Sequence, residues 1–377
     1  MARVTQPTNY LDPSLLATEQ ALLLFSQVPI YDTLQQGTSG DDVLNGDGLN
    51  NVLYGMDGND TLNGFGGHDF LGGGNGDDTL DGGDGNDTLV GGAGNDQMDG
   101  GVGNDTLMGD TGDDRLTGGA GDNWMSGGAG YDTFIGGTGH DKMDGGAGYD
   151  VVDYSNATAG VGVHLETGLG TGGDALGDTY KNIEGIVGSA YSDELDGTSG
   201  GNTIDGGDGN DAINGRGGSD TLRGGEGDDV ITAQSVWGLG GSNVDGENGN
   251  DRLTGGGGDD YITGGAGNDI ITGSGGTDSI FGGTGNDTFV FQKNAQQTGP
   301  NGNFSGIHDF DKSEDTLSLF DVLQPKAVPT AVHVGSDQNG DVQLTFGSTT
   351  VVLEGVHNAG WHSVQDLTNA GFNVQDH

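Results

Sequence analysis

One hydrophobic position in every nine, set between polar neighbours, runs through most of this chain. The rule holds unbroken from Gly37 to Asp153, thirteen units, then over five units at 188–232 and five at 246–290. The eighth place of all 23 units is apolar, as at Leu62, Leu80, Met98, Phe134, Ile213 and Phe289. The last three residues of a unit, such as Thr79-Leu80-Asp81, alternate outward, inward, outward. That is the pattern of a strand with one buried face. The six residues before them read Gly-Gly-x-Gly-x-Asp, which suits a turn, because glycine admits positive φ and close backbone approach. One turn and one short strand per unit predict coils of two units, 18 residues each, stacked ~4.8 Å apart into two parallel sheets. The first block, about six and a half coils, should be roughly 30 Å long.

The sixth place adds a second rule: Asp in 20 units and Asn in three, at Asn51, Asn123 and Asn202. Residues 18 apart stack on one edge of such a roll. One edge of the first block reads Asp42, Asp60, Asp78, Asp96, Asp114, Asp132 and Asp150. The other reads Asn51, Asp69, Asp87, Asp105, Asn123 and Asp141. The later blocks supply Asp193, Asp211, Asp220 and Asp229, then Asp251, Asp260, Asp269, Asp278 and Asp287. Carboxylates stacked this closely repel by ~1 kcal/mol per pair even in a water-like dielectric. A divalent cation between successive turns reverses that sign. Calcium suits carboxylate and peptide oxygens; magnesium demands tighter octahedral geometry and keeps its waters. Asp pairs 18 apart number eight in the first block, two in the second and three in the third, and four further steps carry an Asn. The expected load is roughly 13 to 17 ions.

Composition agrees that packing alone is not enough. Hydrophobic residues make up 31% and glycine 84 of 377 residues, and each glycine is costly to order. The net charge of −48 argues against nucleic acid or an anionic membrane as partner, and for an expanded chain without cations. In that cation-free state a flexible Gly/Asp coil is the favoured form. With no cysteine, metal clips take the place of disulfides. No stretch approaches the ~20 apolar residues of a membrane span. The N-terminus shows no secretory signal, its longest apolar run being Ala21–Phe25 after Glu19 and Gln20.

The nonapeptide, at this copy number, resembles the RTX ("repeats in toxin") calcium-binding proteins. The resemblance implies an all-β, calcium-stapled parallel β-roll, a solenoid that folds at extracellular calcium levels. It also implies that sixth-place Asp residues of units n and n+2 share an ion, completed by carbonyls of the glycine turns. The segments Ile307-His308-Asp309-Phe310 and Asp315-Thr316-Leu317-Ser318-Leu319, with the alternating strands Val342/Leu344/Phe346 and Val351/Leu353 joined around Gly347-Ser348, look like the C-terminal target domain of RTX proteins exported by type I secretion machinery. The ending Asn373-Val374-Gln375-Asp376-His377 departs from the apolar endings of many such signals.

The expected organisation is a cap region at 1–36, a roll block at 37–153, an insert at 154–187 that continues the roll with larger loops, blocks two and three at 188–290, and a β-rich C-terminal domain at 291–377. In the cap, Asp12-Pro13 reads as a helix start. Leu15, Leu16, Leu22, Leu23 and Phe25 then form one apolar side through about Gln27. Its role would be to cover the first coil, as solenoid ends require. Phe289-Val290-Phe291 ends the roll, and Trp237–Asp245 reads as a degenerate unit with Ser242 at the Asp place.

A search for catalysis is mostly negative. No histidine precedes a Glu, so His-Glu-x-x-His is absent. His68 and His140 occupy the variable fifth place and read as surface turn residues; His308, His333, His357 and His362 read as surface or satisfied residues. Gly197-Thr198-Ser199-Gly200-Gly201 fits Gly-x-Ser-x-Gly formally but reads as the start of a repeat. Gly168–Gly173 holds a Gly-x-Gly-x-x-Gly with no helix behind it. On this reading the chain is expected to leave no room for a catalytic domain outside the repeats. The expectation is a secreted, extracellular, non-enzymatic calcium-binding protein. A calcium-dependent adhesin or carbohydrate-binding module for cell-surface or matrix glycans is the alternative, and a polysaccharide-modifying enzyme a more distant one. A pore-forming toxin would need apolar membrane segments that the sequence lacks.

Overall fold

A computed structural model describes residues 32–235, 240–293, 303–321, 332–336, 339–346, 349–357, 360–361 and 363–376. It divides into two compact units, 1–150 and 151–377. The predicted cap helix lies outside the described residues.

In the first unit the nonapeptide does what its pattern requires. Strands Asn51–Asp57, Phe70–Asn75, Thr88–Ala93, Thr106–Thr111, Trp124–Gly130 and Lys142–Gly148 pair in parallel, each shifted by one 18-residue coil. Strands Val43–Asn45, Thr61–Asn63, Thr79–Asp81, Gln97–Asp99, Arg115–Ala120 and Thr133–Thr138 form the second sheet in the same way. Eighth-place residues fill the space between the sheets, and Leu53, Leu62, Leu71, Leu80, Leu89 and Met98 are all buried. Among the described residues the first strand is Thr33–Gln36, which pairs with Asn51–Tyr54 ahead of the first repeat. Close stacking is what glycine permits here. Gly92 and Gly94 hold φ of 115° and 136°, and a side chain on either would collide with a carbonyl of the coil before it.

In the second unit Val151–Asp153 pairs in parallel with Gly185–Val187, and the residues between them make one excursion. Gly162–His164 pairs in parallel with Glu194–Asp196 and antiparallel with Leu169–Thr171. Inside the excursion the buried Tyr154 hydroxyl lies 2.6 Å from both Asp178 Oδ2 and the Tyr180 hydroxyl. The parallel ladder does not stop at Phe291. Thr288–Lys293 pairs with Thr316–Asp321, and Thr316–Asp321 with Asn373–Asp376. On the other sheet Ser279–Thr284 pairs with Asn303–Ile307, which pairs with Thr349–His357. The sequence reading placed the end early because these strands no longer recur at nine-residue spacing. The expected hairpin is present, with Asp341–Phe346 antiparallel to Thr349–His357. Helix is scarce among the described residues: a 3-10 turn at Gly173–Ala175 and one short helix, Val364–Asn369.

Candidate metal centres

Each sixth-place carboxylate sits where a glycine turn meets the strand that follows, and it is shared between coils. Its Oδ1 accepts a hydrogen bond from the backbone N–H of the residue one coil earlier. On one edge Asp60 N–H donates to Asp78 at 2.7 Å, Asp78 to Asp96 at 2.8 Å, Asp96 to Asp114 at 2.9 Å and Asp114 to Asp132 at 2.9 Å. Asp132 N–H donates in turn to Asp150, and Asp42 N–H to Asp60. The other edge runs Asn51, Asp69, Asp87, Asp105, Asn123, Asp141. The stacked rows read from the sequence are therefore present.

The second oxygen is the informative one. At Asp60, Asp69, Asp78, Asp87, Asp96, Asp105, Asp114 and Asp132, Oδ2 is buried and meets no donor. The same holds at Asp211, Asp220, Asp229, Asp251 and Asp269. At several of these positions a peptide carbonyl of the next coil borders the same glycine cradle. A Cβ placed on Gly82 would lie 2.7 Å from Asp87 Oδ2 and 2.7 Å from the Gly100 carbonyl one coil on. Gly64 shows the same pair, Asp69 Oδ2 and the Gly82 carbonyl. Two acceptors turned to one cradle, with no hydrogen between them, are unfavourable unless a cation or proton joins them. The donor set is all hard oxygen, which fits calcium.

The carboxylates carry the electrostatic mark of that arrangement. Burial lifts Asp69, Asp78, Asp87 and Asp105 to about 6, against the opposing pull of the backbone hydrogen bond. Asp96 and Asp114 rise to about 7, burial first and neighbouring carboxylates adding to it. In the second unit burial raises Asp211, Asp220, Asp229, Asp251 and Asp278 to about 7 and Asp269 and Asp287 to about 6.

The first carboxylate of a row differs from those inside it. Asp42 Oδ2 accepts from Thr38 N–H at 2.6 Å and Thr38 Oγ1 at 2.8 Å. Asp193 Oδ2 takes Ser189 N–H at 2.6 Å. These carboxylates fasten their own turns with the oxygen that interior positions leave without a donor.

The rows also extend past the repeats. Asp229 N–H reaches Asp251 across 22 residues, and Ser242 takes the Asp place between Asp220 and Asp260. Beyond the last unit, Asp287 N–H donates to Asp315 Oδ1 at 3.1 Å, and Asp278 meets Ser305. Asp315, which the nine-residue count does not reach, is raised to about 6 by burial. Only the Asp-Thr-Leu wording of residues 315–317 signals it.

The fifth place is a second ladder that the sequence reading treated as variable. Asn95 N–H donates to Asp77 Oδ1 at 2.8 Å, Asp113 N–H to Asn95 Oδ1 at 2.9 Å, and Asn86 N–H to His68 Nδ1 at 2.8 Å. The enrichment of Asn, Asp and His at that place was its signal.

Elsewhere, His164, Glu194 and Asp196 come within metal-ligating reach of one another. Arg216 and His164 already hold Asp196, at 3.1 and 2.7 Å. Burial raises the Asp196 pKa, but these two partners outweigh it and leave the group lowered. An ion pair therefore occupies that cluster. His308 is satisfied between Ser279 Oγ at 2.6 Å and Glu354 at 2.9 Å. Thr198 N–H donates to Asn202 Oδ1 at 2.8 Å, so residues 197–201 form a repeat turn. No helix among the described residues is long and apolar enough to cross a membrane.

The family model described as RTX calcium-binding nonapeptide repeat (4 copies) matches residues 36–71, 46–80, 72–107, 99–134, 117–152, 187–222, 214–235, 237–271 and 254–289. No curated protein matches the chain. Among solved structures, extracellular lipase LipA from Serratia marcescens is similar at 16% identity and a TM-score of 0.21. That match covers 71% of this chain and 40% of the lipase chain.

Proposed function

Because the chain belongs to the RTX calcium-binding nonapeptide repeat family, and is thereby a calcium-binding β-roll protein, we propose that calcium switches its folding and that it acts outside the cell without catalysis. The observation that carries this reading is the file of buried Oδ2 atoms that meet no hydrogen-bond donor. In a calcium-poor cytosol those carboxylates, ionised, oppose coil stacking, and a net charge of −48 keeps the chain open. Asp60, Asp78, Asp96, Asp114 and Asp132 on one edge, with Asp69, Asp87 and Asp105 on the other, would hold the ions of the first unit. Asp211, Asp220, Asp229, Asp251 and Asp269 would do so in the second. Bound calcium supplies the positive charge these oxygen pairs lack. Ion binding then becomes folding free energy. Export by type I machinery, with its signal within 291–377, fits a chain that must stay unfolded until it meets calcium.

Far-UV circular dichroism during a calcium titration, with a magnesium control and a chelator return, tests the switch. A cooperative, reversible coil-to-β transition near millimolar calcium supports it. A spectrum already β-rich in chelator, and unmoved by calcium, refutes it.

A further inference from the structure

In the first unit, the second place of successive units in one sheet reads Met56, Gly74, Gly92 and Asp110, each in register with the next. All four hold positive φ, at 94°, 120°, 115° and 74°. Glycine adopts that conformation freely, whereas an L residue adopts it at a cost in stability. Two of the residues that replace glycine at this place have evident partners. Met56 packs against the cluster of Val52, Tyr54 and Phe70. In the second unit Arg216, with φ of 69°, reaches Asp196 at 3.1 Å. Asp110 differs. It is partly buried, and its carboxylate makes no hydrogen bond or ion pair with any described residue. Its charged neighbour is Asp114, another carboxylate, which it repels. Burial pushes its pKa up, and nothing opposes that push.

Asp110 lines a groove of about 340 Å³. Gly72, Gly74 and Gly92 give it stretches of bare backbone, and Tyr54, Phe70 and Val90 give it apolar surface. The two rings pack with centroids 5.4 Å apart. A Cβ on Gly72 would come 3.2 Å from the Tyr54 ring and 3.4 Å from that of Phe70, so a side chain there would crowd them. The other carboxylate of the lining, Asp57, accepts from Asn75 Nδ2 at 2.7 Å. No Lys, Arg or His lines the groove. A carboxylate without a partner, aromatic rings and no cation of its own are complementary to a positive charge on an apolar body. A sugar would hydrogen-bond Asp110 but leave its charge uncompensated. A bare calcium ion would make no use of the rings. The strands that carry Asp110 and Phe70 are two spacings, ~10 Å, apart, so an elongated molecule fits best. We propose that this groove binds a small organic ammonium ion, its nitrogen on Asp110 and its apolar body laid past Val90 towards Tyr54 and Phe70.

Isothermal titration calorimetry on the calcium-loaded full chain tests this, with phenylpropylammonium as probe and phenylpropanol as its uncharged counterpart. The amine should bind saturably and the alcohol about tenfold more weakly or less, the difference expected for a hydrogen bond to a charged group. Asp110→Asn should weaken the amine by a similar factor. Asp110→Gly should lose the amine, yet its calcium midpoint should stay unchanged and its melting temperature should not fall, because glycine suits φ of 74°. A purely structural carboxylate would not give that pairing. Equal affinity for amine and alcohol, or unchanged amine binding by Asp110→Gly, overturns the proposal. A raised calcium midpoint in Asp110→Gly would assign the carboxylate to the Asp114 cradle, and saturable binding of a neutral oligosaccharide in place of the amine would assign the groove to a glycan. Either result overturns it as well. The calcium response of the unsubstituted chain is read separately, so a failed folding switch is not confused with an empty groove.

Discussion

Glycines of the repeat differ in what they tolerate. A Cβ on Gly91 collides with Asp96 Oδ2, whereas one on Gly48 meets nothing within 4 Å. Gly91→Ala should therefore destabilise the calcium-loaded roll by about 1–3 kcal/mol, the usual range for overpacking, and Gly48→Ala by far less. Thermal melts in calcium would separate them. A similar contrast holds for the carboxylates. Asp96→Asn keeps an acceptor for the neighbouring amide but discharges an oxygen that has no donor, and should weaken the calcium-loaded state by about 1–3 kcal/mol. Asp42→Asn should move the calcium midpoint less, because Thr38 already holds the Asp42 Oδ2. Equal midpoints for the two variants would refute the distinction between the first carboxylate of a row and those inside it. The raised carboxylates also set a pH dependence. Folded values of about 6 to 7 at Asp78, Asp96 and Asp114 exceed the unfolded value of ~3.9. The folded chain then binds more protons between those values, so calcium-free stability is greatest below about pH 4 and is lost as pH rises through 6 to 7. Protons compete with calcium for the same oxygens, so the calcium midpoint should rise when pH falls from 8 to 6. A midpoint independent of pH would contradict the burial of these groups.

Elements were legible where spacing was constant. The eighth-place apolar and sixth-place Asp, 18 residues apart, foretold both sheets and both rows of the first unit, and Ser242 kept its place through a degenerate unit. Legibility failed where a ladder partner lies at another distance. Asp315 follows Asp287 by 28 residues, and Ser305 follows Asp278 by 27. A period search cannot find such partners, because the loop between them has no length rule and only the hydrogen bond is kept. The fifth-place ladder was missed for a different reason: Asn, Asp and His differ as residues but serve equally as acceptors for an N–H. The excursion at 154–187 has a fastening of its own in Tyr154, Asp178 and Tyr180. Tyr154→Phe removes a hydroxyl placed 2.6 Å from both partners and should lower stability by about 1 kcal/mol. Hydrogen exchange should show the loosening within 154–187 while the first unit keeps its protection.

At the scale of the molecule, stability should behave as a sum of coil terms and neighbour terms. A chain ending after Val290 loses Asn303–Ile307 and Thr316–Asp321, the strands paired to the last two repeats. Its final coils should fray, its first unit should keep its calcium response, and its export should fail. Normal export of that chain would remove the signal from 291–377. The variable coil lengths have a further consequence. Between one ladder residue and the next the chain runs 18 residues in most coils, 22 from Asp229 to Asp251, and 32 from Val161 to Asp193, yet the ladder closes each time. A coil can therefore carry added sequence at its edge without disturbing its neighbours. The roll is, in effect, a pegboard: a rigid lattice with many tolerated graft points, on which new binding loops could be acquired one coil at a time.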